Sequence, residues 1–298
     1  VLKKFSLSAL PLGLVFLWMA GFISLGASVS LVAEYSVFSL LGVVGAIFAN
    51  ATGAGGGVVF VPVFQQIGFS PINIVATSFA IQCCGMTAGA CSWWQFYRAG
   101  GKSSAQWQAL PSSLVLSIPA AWCGLVMVQF AGDDIPLLNT ISASPDQLHV
   151  TFGVFSIILG AMIFATVPLM KRVPSSGTLT TIDLLALPVV SFIGGAITAW
   201  LSVGVGELVA VYLIMRGFSV TMSIASAVIL SAFSVWAGVI YHAFIAYSVV
   251  WEVVLFAGAG AIVGGRLARY VVLAFSPATV KVFFALWVLV LGVISLLF

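Results

Sequence analysis

The sequence predicts an all-α polytopic membrane protein: seven transmembrane helices plus two re-entrant broken-helix hairpins, arranged as two inverted repeats. Three observations predict it. The 298 residues are 62% hydrophobic and 6% charged, against roughly a quarter charged in a soluble domain. Several uninterrupted apolar runs reach the ~20 residues that a helix needs to cross a bilayer. Two further apolar stretches are cut in the middle by glycine-rich segments that align with one another. A soluble globular domain is excluded. The 10 Lys and Arg against 7 Asp and Glu are too few and too scattered to form a nucleic-acid-binding face. Cys83, Cys84, Cys91 and Cys123 lack paired metal-site spacing and read as packing residues. His149 and His242 also fall outside ligand spacing, so neither metal nor cofactor is expected.

The chain opens with Lys3 and Lys4 ahead of an apolar run from Phe5 to Ala33, longer than the ~7 to 15 residues of a signal-peptide core. It is expected to be a first transmembrane helix, in an extra segment over 1–36, and the Val1 start suggests a missing initiator methionine. A single transmembrane domain then continues with repeat one over 37–170 and repeat two over 182–298. In repeat one, the stretch 37–67 is interrupted by Asn50-Ala-Thr-Gly-Ala-Gly-Gly-Gly57. Spanning runs follow at 72–96, 107–130 and 148–170. In repeat two, the stretch 182–216 is interrupted by Trp200-Leu-Ser-Val-Gly-Val-Gly206, with spanning runs at 219–245, 249–273 and 279–298.

The first half-piece, Val37 to Ala49, reaches only about 20 Å as a helix, so each interrupted stretch fits either an unwound crossing or a hairpin. Charge favours the hairpin. With two hairpins, Lys3, Lys4, Arg98, Lys102, Lys171, Arg172, Arg216, Arg266, Arg269 and Lys281 all share one side. That side is cytoplasmic by the positive-inside bias, together with the N-terminus, and it leaves Glu34, Asp133, Asp134 and Asp146 outside. The aromatic run Trp93-Trp94-Gln-Phe-Tyr97 before Arg98 is expected to anchor that interface.

Gly68-Phe69-Ser70 aligns with Gly217-Phe218-Ser219 at an offset of 149, which also pairs Gly55 with Gly204 and Gly57 with Gly206. Later, Ser144-Pro145 matches Ser276-Pro277 at an offset of 132. Each unit holds a hairpin and three crossings, an odd number, so the second is expected to enter the membrane in the opposite sense. Inverted repeats of this kind place a substrate near the midplane, at broken helices.

At each break a second half-helix starts near the midplane, around Val58 and Glu207, so its amide groups and positive dipole end attract an anion. Gly53, Gly55, Gly56 and Gly57 let backbone approach a compact oxyanion, as do Gly204 and Gly206. Asn50, Thr52, Trp200 and Ser202 flank the tips. Ser78, Gln82, Gly85, Gly89 and Ser92 form one polar, small-residue helix face, matched by Ala227, Ser231, Ser234, Gly238 and Tyr241. The expected binding group is thus Asn50, Thr52, Gly53, Gly55, Gly56, Gly57, Ser78, Gln82, Trp200, Ser202, Gly204, Gly206, Ser231 and Ser234. Glu207 is the one acid placed at membrane depth. An acid there is a functional candidate by default, and a protonated Glu207 would couple anion movement to a proton gradient.

Gly-Ala-Gly-Gly-Gly57, Val-Pro62, Gly-Phe69 and Ala76-Thr77-Ser78, echoed by Gly204-Val-Gly206, Gly-Phe218, Ala225-Ser226-Ala227 and Gly264-Gly265-Arg266, resemble the signature of the sulfite exporter TauE/SafE family of membrane permeases. The second unit departs from the first. Val211 replaces the proline, Ala227 the serine, and Glu207 stands where Val58 stands. The resemblance implies transport of small sulfur-containing anions, sulfite or short organosulfonates, across a bacterial inner membrane. The expected activity is therefore secondary anion transport, not enzymatic. An anion channel or a non-transporting sensor or assembly subunit of the same fold is the alternative.

Overall fold

The protein was analysed as a computed structural model that describes residues 2–131, 145–168 and 177–297. Among the described residues there are helices and no strand. The helices are α1 (Leu2–Ser24), α2 (Val29–Tyr35), α3 (Phe38–Thr52), α4 (Gly57–Gln66), α5 (Pro71–Ala99), α6 (Ala109–Ala131), α7 (Pro145–Thr166), α8 (Thr181–Leu201), α9 (Val205–Met215), α10 (Val220–Phe244), α11 (Trp251–Ala274) and α12 (Pro277–Leu297). Five helices are long and apolar enough to cross a membrane, or six if the bent pair α1 and α2 is one span. The expected count of seven full crossings is therefore not reached among the described residues. Asp133, Asp134, Lys171 and Arg172, assigned sides from their charge, lie outside the described residues. Of Asp146 and His149 only the helical backbone is described.

The first run is not the single helix expected over 5–33. It turns by 111° between Ser24 and Val29. Gly26 and Ala27 take positive φ there, at 94° and 42°, and the Ser28 hydroxyl caps the new helix by accepting from the Leu31 amide. Apolarity alone does not report such a break.

Both interrupted stretches fold back as hairpins. At the mouth of the first, Phe38, the opening residue of α3, meets Phe64 near the end of α4, with ring centroids 6.2 Å apart. At the mouth of the second, Arg216 just past α9 bonds Asp183 in the first turn of α8 at 2.7 Å, and the Tyr212 hydroxyl donates to the same carboxylate. The arms are unequal, because α8 runs 21 residues against 15 in α3. The first arm of the second hairpin is thus of spanning length and not the half-length piece expected.

Packing crosses between the two units. α3 lies along α11 of the second unit, α8 lies along α6 of the first, α5 packs on α10, and α7 packs on α12. Glycines allow these approaches: a Cβ on Gly42 would run into the Ala257 carbonyl, and one on Gly195 into that of Ala121. Outward faces carry large apolar side chains such as Phe16, Val115, Leu185 and Phe244, a surface that suits lipid and not water. Cys91 and Cys123 also face outward, so packing describes Cys83 but not these two. Trp93 departs from the interfacial role expected of its run. It is fully buried against Trp107 and Phe96, and only Trp94 of the tryptophan pair is exposed.

Candidate functional site

The two hairpin tips meet at the centre of the bundle. α3 ends in Gly53 at φ 80°, its amide bonded to the Ala49 carbonyl, and α8 ends in Ser202 at φ 57°, its amide bonded to the Thr198 carbonyl. Both are left-handed helix stops. They fall at positions related by the 149-residue offset, one built with glycine and one with serine. The Cβ that Gly57 lacks would strike the Ser202 carbonyl, and that of Gly206 would strike the Gly53 carbonyl and the Ser231 hydroxyl. These two glycines therefore let one tip sit on the other.

One carboxylate joins the tips. Glu207 Oε1 accepts from the Gly55 amide at 2.7 Å, and Oε2 accepts from the Gly204 amide at 2.8 Å. Gly55 and Gly204 are themselves offset-related, so equivalent amides of the two tips hold the two oxygens of a single anion. The side chain is 3% exposed. Its position in the first turn of α9 also places it where a helix N-terminus favours negative charge.

A polar cluster adjoins this bridge. The Gly56 amide donates to Gln82 Oε1 at 2.7 Å. Gln82 Nε2 lies 2.8 Å from the Ser202 hydroxyl, 3.0 Å from the Ser202 carbonyl and 3.1 Å from the Ser78 hydroxyl. Ser202 Oγ in turn donates to Ser78 Oγ at 3.0 Å. At the second tip the Val205 amide donates to Thr198 Oγ1 at 2.9 Å. Every hydrogen bond in the cluster counts, because a buried amide without a partner costs roughly 1–3 kcal/mol.

Most of the residues expected at the site are brought together: Gly53, Gly55, Gly56, Gly57, Ser78, Gln82, Ser202, Gly204, Gly206 and Glu207. Ser231 reaches the same place, but its buried hydroxyl has no hydrogen-bond partner. Asn50 does not join the cluster. Its amide nitrogen holds α3 to α5 through the Ala46 and Gly85 carbonyls, while its Oδ1 is buried without a partner against Gly89. Ser234 bonds back to the Leu230 carbonyl of its own helix. Trp200 is half-buried and packs between the two apolar cores. The Thr52 side chain bonds the Phe48 carbonyl and caps the Ala54 amide.

Lys281 is the residue that sequence reasoning misplaced. It was assigned to the cytoplasmic side, yet it is 2% exposed, and its ammonium donates to the Thr52 carbonyl at 3.2 Å, where α3 stops. A cation there complements the helix C-terminus. Thr198, which caps the second tip, was also missed.

Two apolar cavities open elsewhere in the bundle, the second of them touching the first tip at Thr52. One of about 580 Å³ lies between α5, α6 and α10, bounded by Trp94, Ile118, Phe233 and Trp236. The other, about 330 Å³, borders Thr52 and is walled by Phe48, Thr279 and Phe283.

Residues 38–294 match the family model described as Sulfite exporter TauE/SafE. No curated protein and no solved structure matches the chain.

Proposed function

The chain belongs to the sulfite exporter TauE/SafE family, a family of membrane transporters and not enzymes, and on that premise we propose that it is a secondary transporter of a small anion. The substrate is sulfite or a short organosulfonate, carried by alternating exposure of a midplane site between the two hairpin tips. The units 37–170 and 182–298 act as inverted repeats within one transmembrane domain, set in a bacterial inner membrane with the N-terminus cytoplasmic.

The observation that supports this reading is the Glu207 bridge. A carboxylate is a small oxyanion, and equivalent amides of the two tips grip its two oxygens at 2.7 and 2.8 Å. Donors so arranged suit any compact oxyanion that takes the carboxylate's place. Glu207 must give up these amides for a substrate to use them, and protonation lets it do so, because a neutral carboxyl is the weaker acceptor. The proton then travels with the transport cycle. Lys281 on α12 is the charged group that acts on Glu207 across this space.

The test is flux of sulfur-labelled sulfite, then of small sulfonates, into proteoliposomes holding the purified protein, with and without an imposed pH gradient. Saturable flux that the gradient changes is the expected result. Unitary currents would instead make the protein a channel. Absence of flux for every one of these anions would end the substrate reading. If Glu207→Gln kept both the rate and its pH response, Glu207 would have no part in coupling.

A further inference from the structure

We propose that Lys281 is the fixed cation of the anion site, and that the substrate is accepted as a monoanion in exchange for the negative charge of Glu207. This rests on the anion-carrier reading and adds to it the residue and the charge state.

An ammonium has three donors, and Lys281 uses one, on the Thr52 carbonyl at 3.2 Å. No other acceptor meets it among the described residues. It and Glu207 interact electrostatically but form no ion pair within contact distance; the ion pair among the described residues joins Arg216 to Asp183. Ending α3 does not require a charge, since a neutral donor would satisfy the same carbonyl. A buried cation is costly unless an anion compensates it, and within a membrane protein such a group marks an ion pathway. The anion that compensates Lys281 is the Glu207 carboxylate, one of whose amide donors, Gly55, stands three residues along the chain from Thr52. When Glu207 takes a proton from water on the side that supplies substrate, the centre loses one negative charge. A monoanion bound at the tips restores it. A hydrogensulfite or a sulfonate fits this balance and a dianion does not, and the loaded centre carries the same net charge as the unloaded one.

Lys281→Gln keeps a donor for the Thr52 carbonyl and removes the charge, whereas Lys281→Arg keeps the charge. Thermal unfolding in detergent is to be read with sulfite near neutral pH, methanesulfonate, sulfate, nitrate or acetate added, alongside flux in proteoliposomes. The expected result is a wild-type protein stabilised by hydrogensulfite or methanesulfonate and not by sulfate. Lys281→Gln should lose the anion-dependent shift and show KM raised at least about tenfold. Lys281→Arg should retain part of both. Unchanged KM and anion shift in Lys281→Gln would overturn the proposal, as would stabilisation by sulfate equal to that by methanesulfonate. If nitrate or acetate alone stabilised the wild type and Lys281→Gln abolished the effect, Lys281 would stand while the sulfur substrate fell. If none of the five anions acted on the wild type, both would fall. Should Lys281→Gln fail to fold, acylation of the wild-type amine decides by mass spectrometry: protection of Lys281 by the anion supports the proposal, and equal labelling refutes it.

Discussion

At the first tip the chain turns on Gly53 and offers backbone amides at Gly55 and Gly56. At the second it turns on Ser202, and Ser202 and Glu207 reach across to the other half. Positions paired by the 149-residue offset therefore do different work. Val58 packs in an apolar core where Glu207 bridges the tips, and Gln82 satisfies an amide where Ser231 has no partner. The difference teaches that the two tips stop their helices alike while the polar chemistry at each paired position falls to one member of the pair, Glu207 in the second unit and Gln82 in the first. A single charge is enough to tie both tips together. Two carboxylates at the same centre would repel one another, as like charges sharing a site do.

The comparison is broken most severely at Glu207. Glu207→Ala strands the Gly55 and Gly204 amides together, a loss of roughly 2–6 kcal/mol at 1–3 for each buried donor. Its partner substitution Val58→Ala removes only packing. Melting temperature in detergent should fall furthest for the glutamate variant, and equal losses would mean that the bridge contributes nothing. Next come the two glycines at which the tips touch. Gly57→Ala and Gly206→Ala each drive a Cβ into the opposite tip's backbone, at about 1–3 kcal/mol, and they should cost alike. A large inequality would show that only one of the two close approaches matters.

The left-handed stops give a smaller effect. Gly53→Ala forces a side chain into positive φ and against Ala227, a cost of roughly 1–2 kcal/mol. Ser202→Gly relieves the same backbone strain but gives up the hydroxyl's bonds to Gln82 and Ser78, so its net change should stay within about 1 kcal/mol. The smallest effect belongs to Ser231→Ala, within about 0.5 kcal/mol since no hydrogen bond is lost. Gln82→Ala at the paired position strips the acceptor from Gly56. If these two serine and glutamine variants melted together, the assignment of polar work to Gln82 over Ser231 would be wrong.

Much of this centre was legible in the sequence because glycine and an isolated acid are conspicuous in an apolar chain. The offset linking Gly55 to Gly204 identified the two amides that turn out to hold one carboxylate. Glu207 stood out because an acid at that depth has few ordinary reasons to be there. Lys281 was not legible for the opposite reason. A lysine within two turns of a helix end has a stem long enough to reach the interface, and its actual partner is a backbone carbonyl, which leaves no trace in residue identity. The break at Gly26 and Ala27 was hidden by continuous hydrophobicity. The full length of α8 was legible, since the apolar run from 182 to the interruption at Trp200 nearly coincides with it, and treating both arms as half-length obscured that. Asn50 looked like a tip ligand from its neighbours, yet its helical turn directs it to the Gly85 carbonyl on α5.

The mouths of the two hairpins are fastened by unlike means, Phe38 against Phe64 in one and Asp183 with Arg216 in the other. Ring contact is indifferent to dissolved salt. An ion pair whose arginine is 34% exposed is screened as ionic strength rises. Concentrated electrolyte should therefore weaken the Arg216 clasp of the second hairpin, where Tyr212 still holds Asp183, while leaving the ring contact of the first unchanged, giving the two halves of the molecule different responses to the ionic strength of the compartment that Arg216 faces.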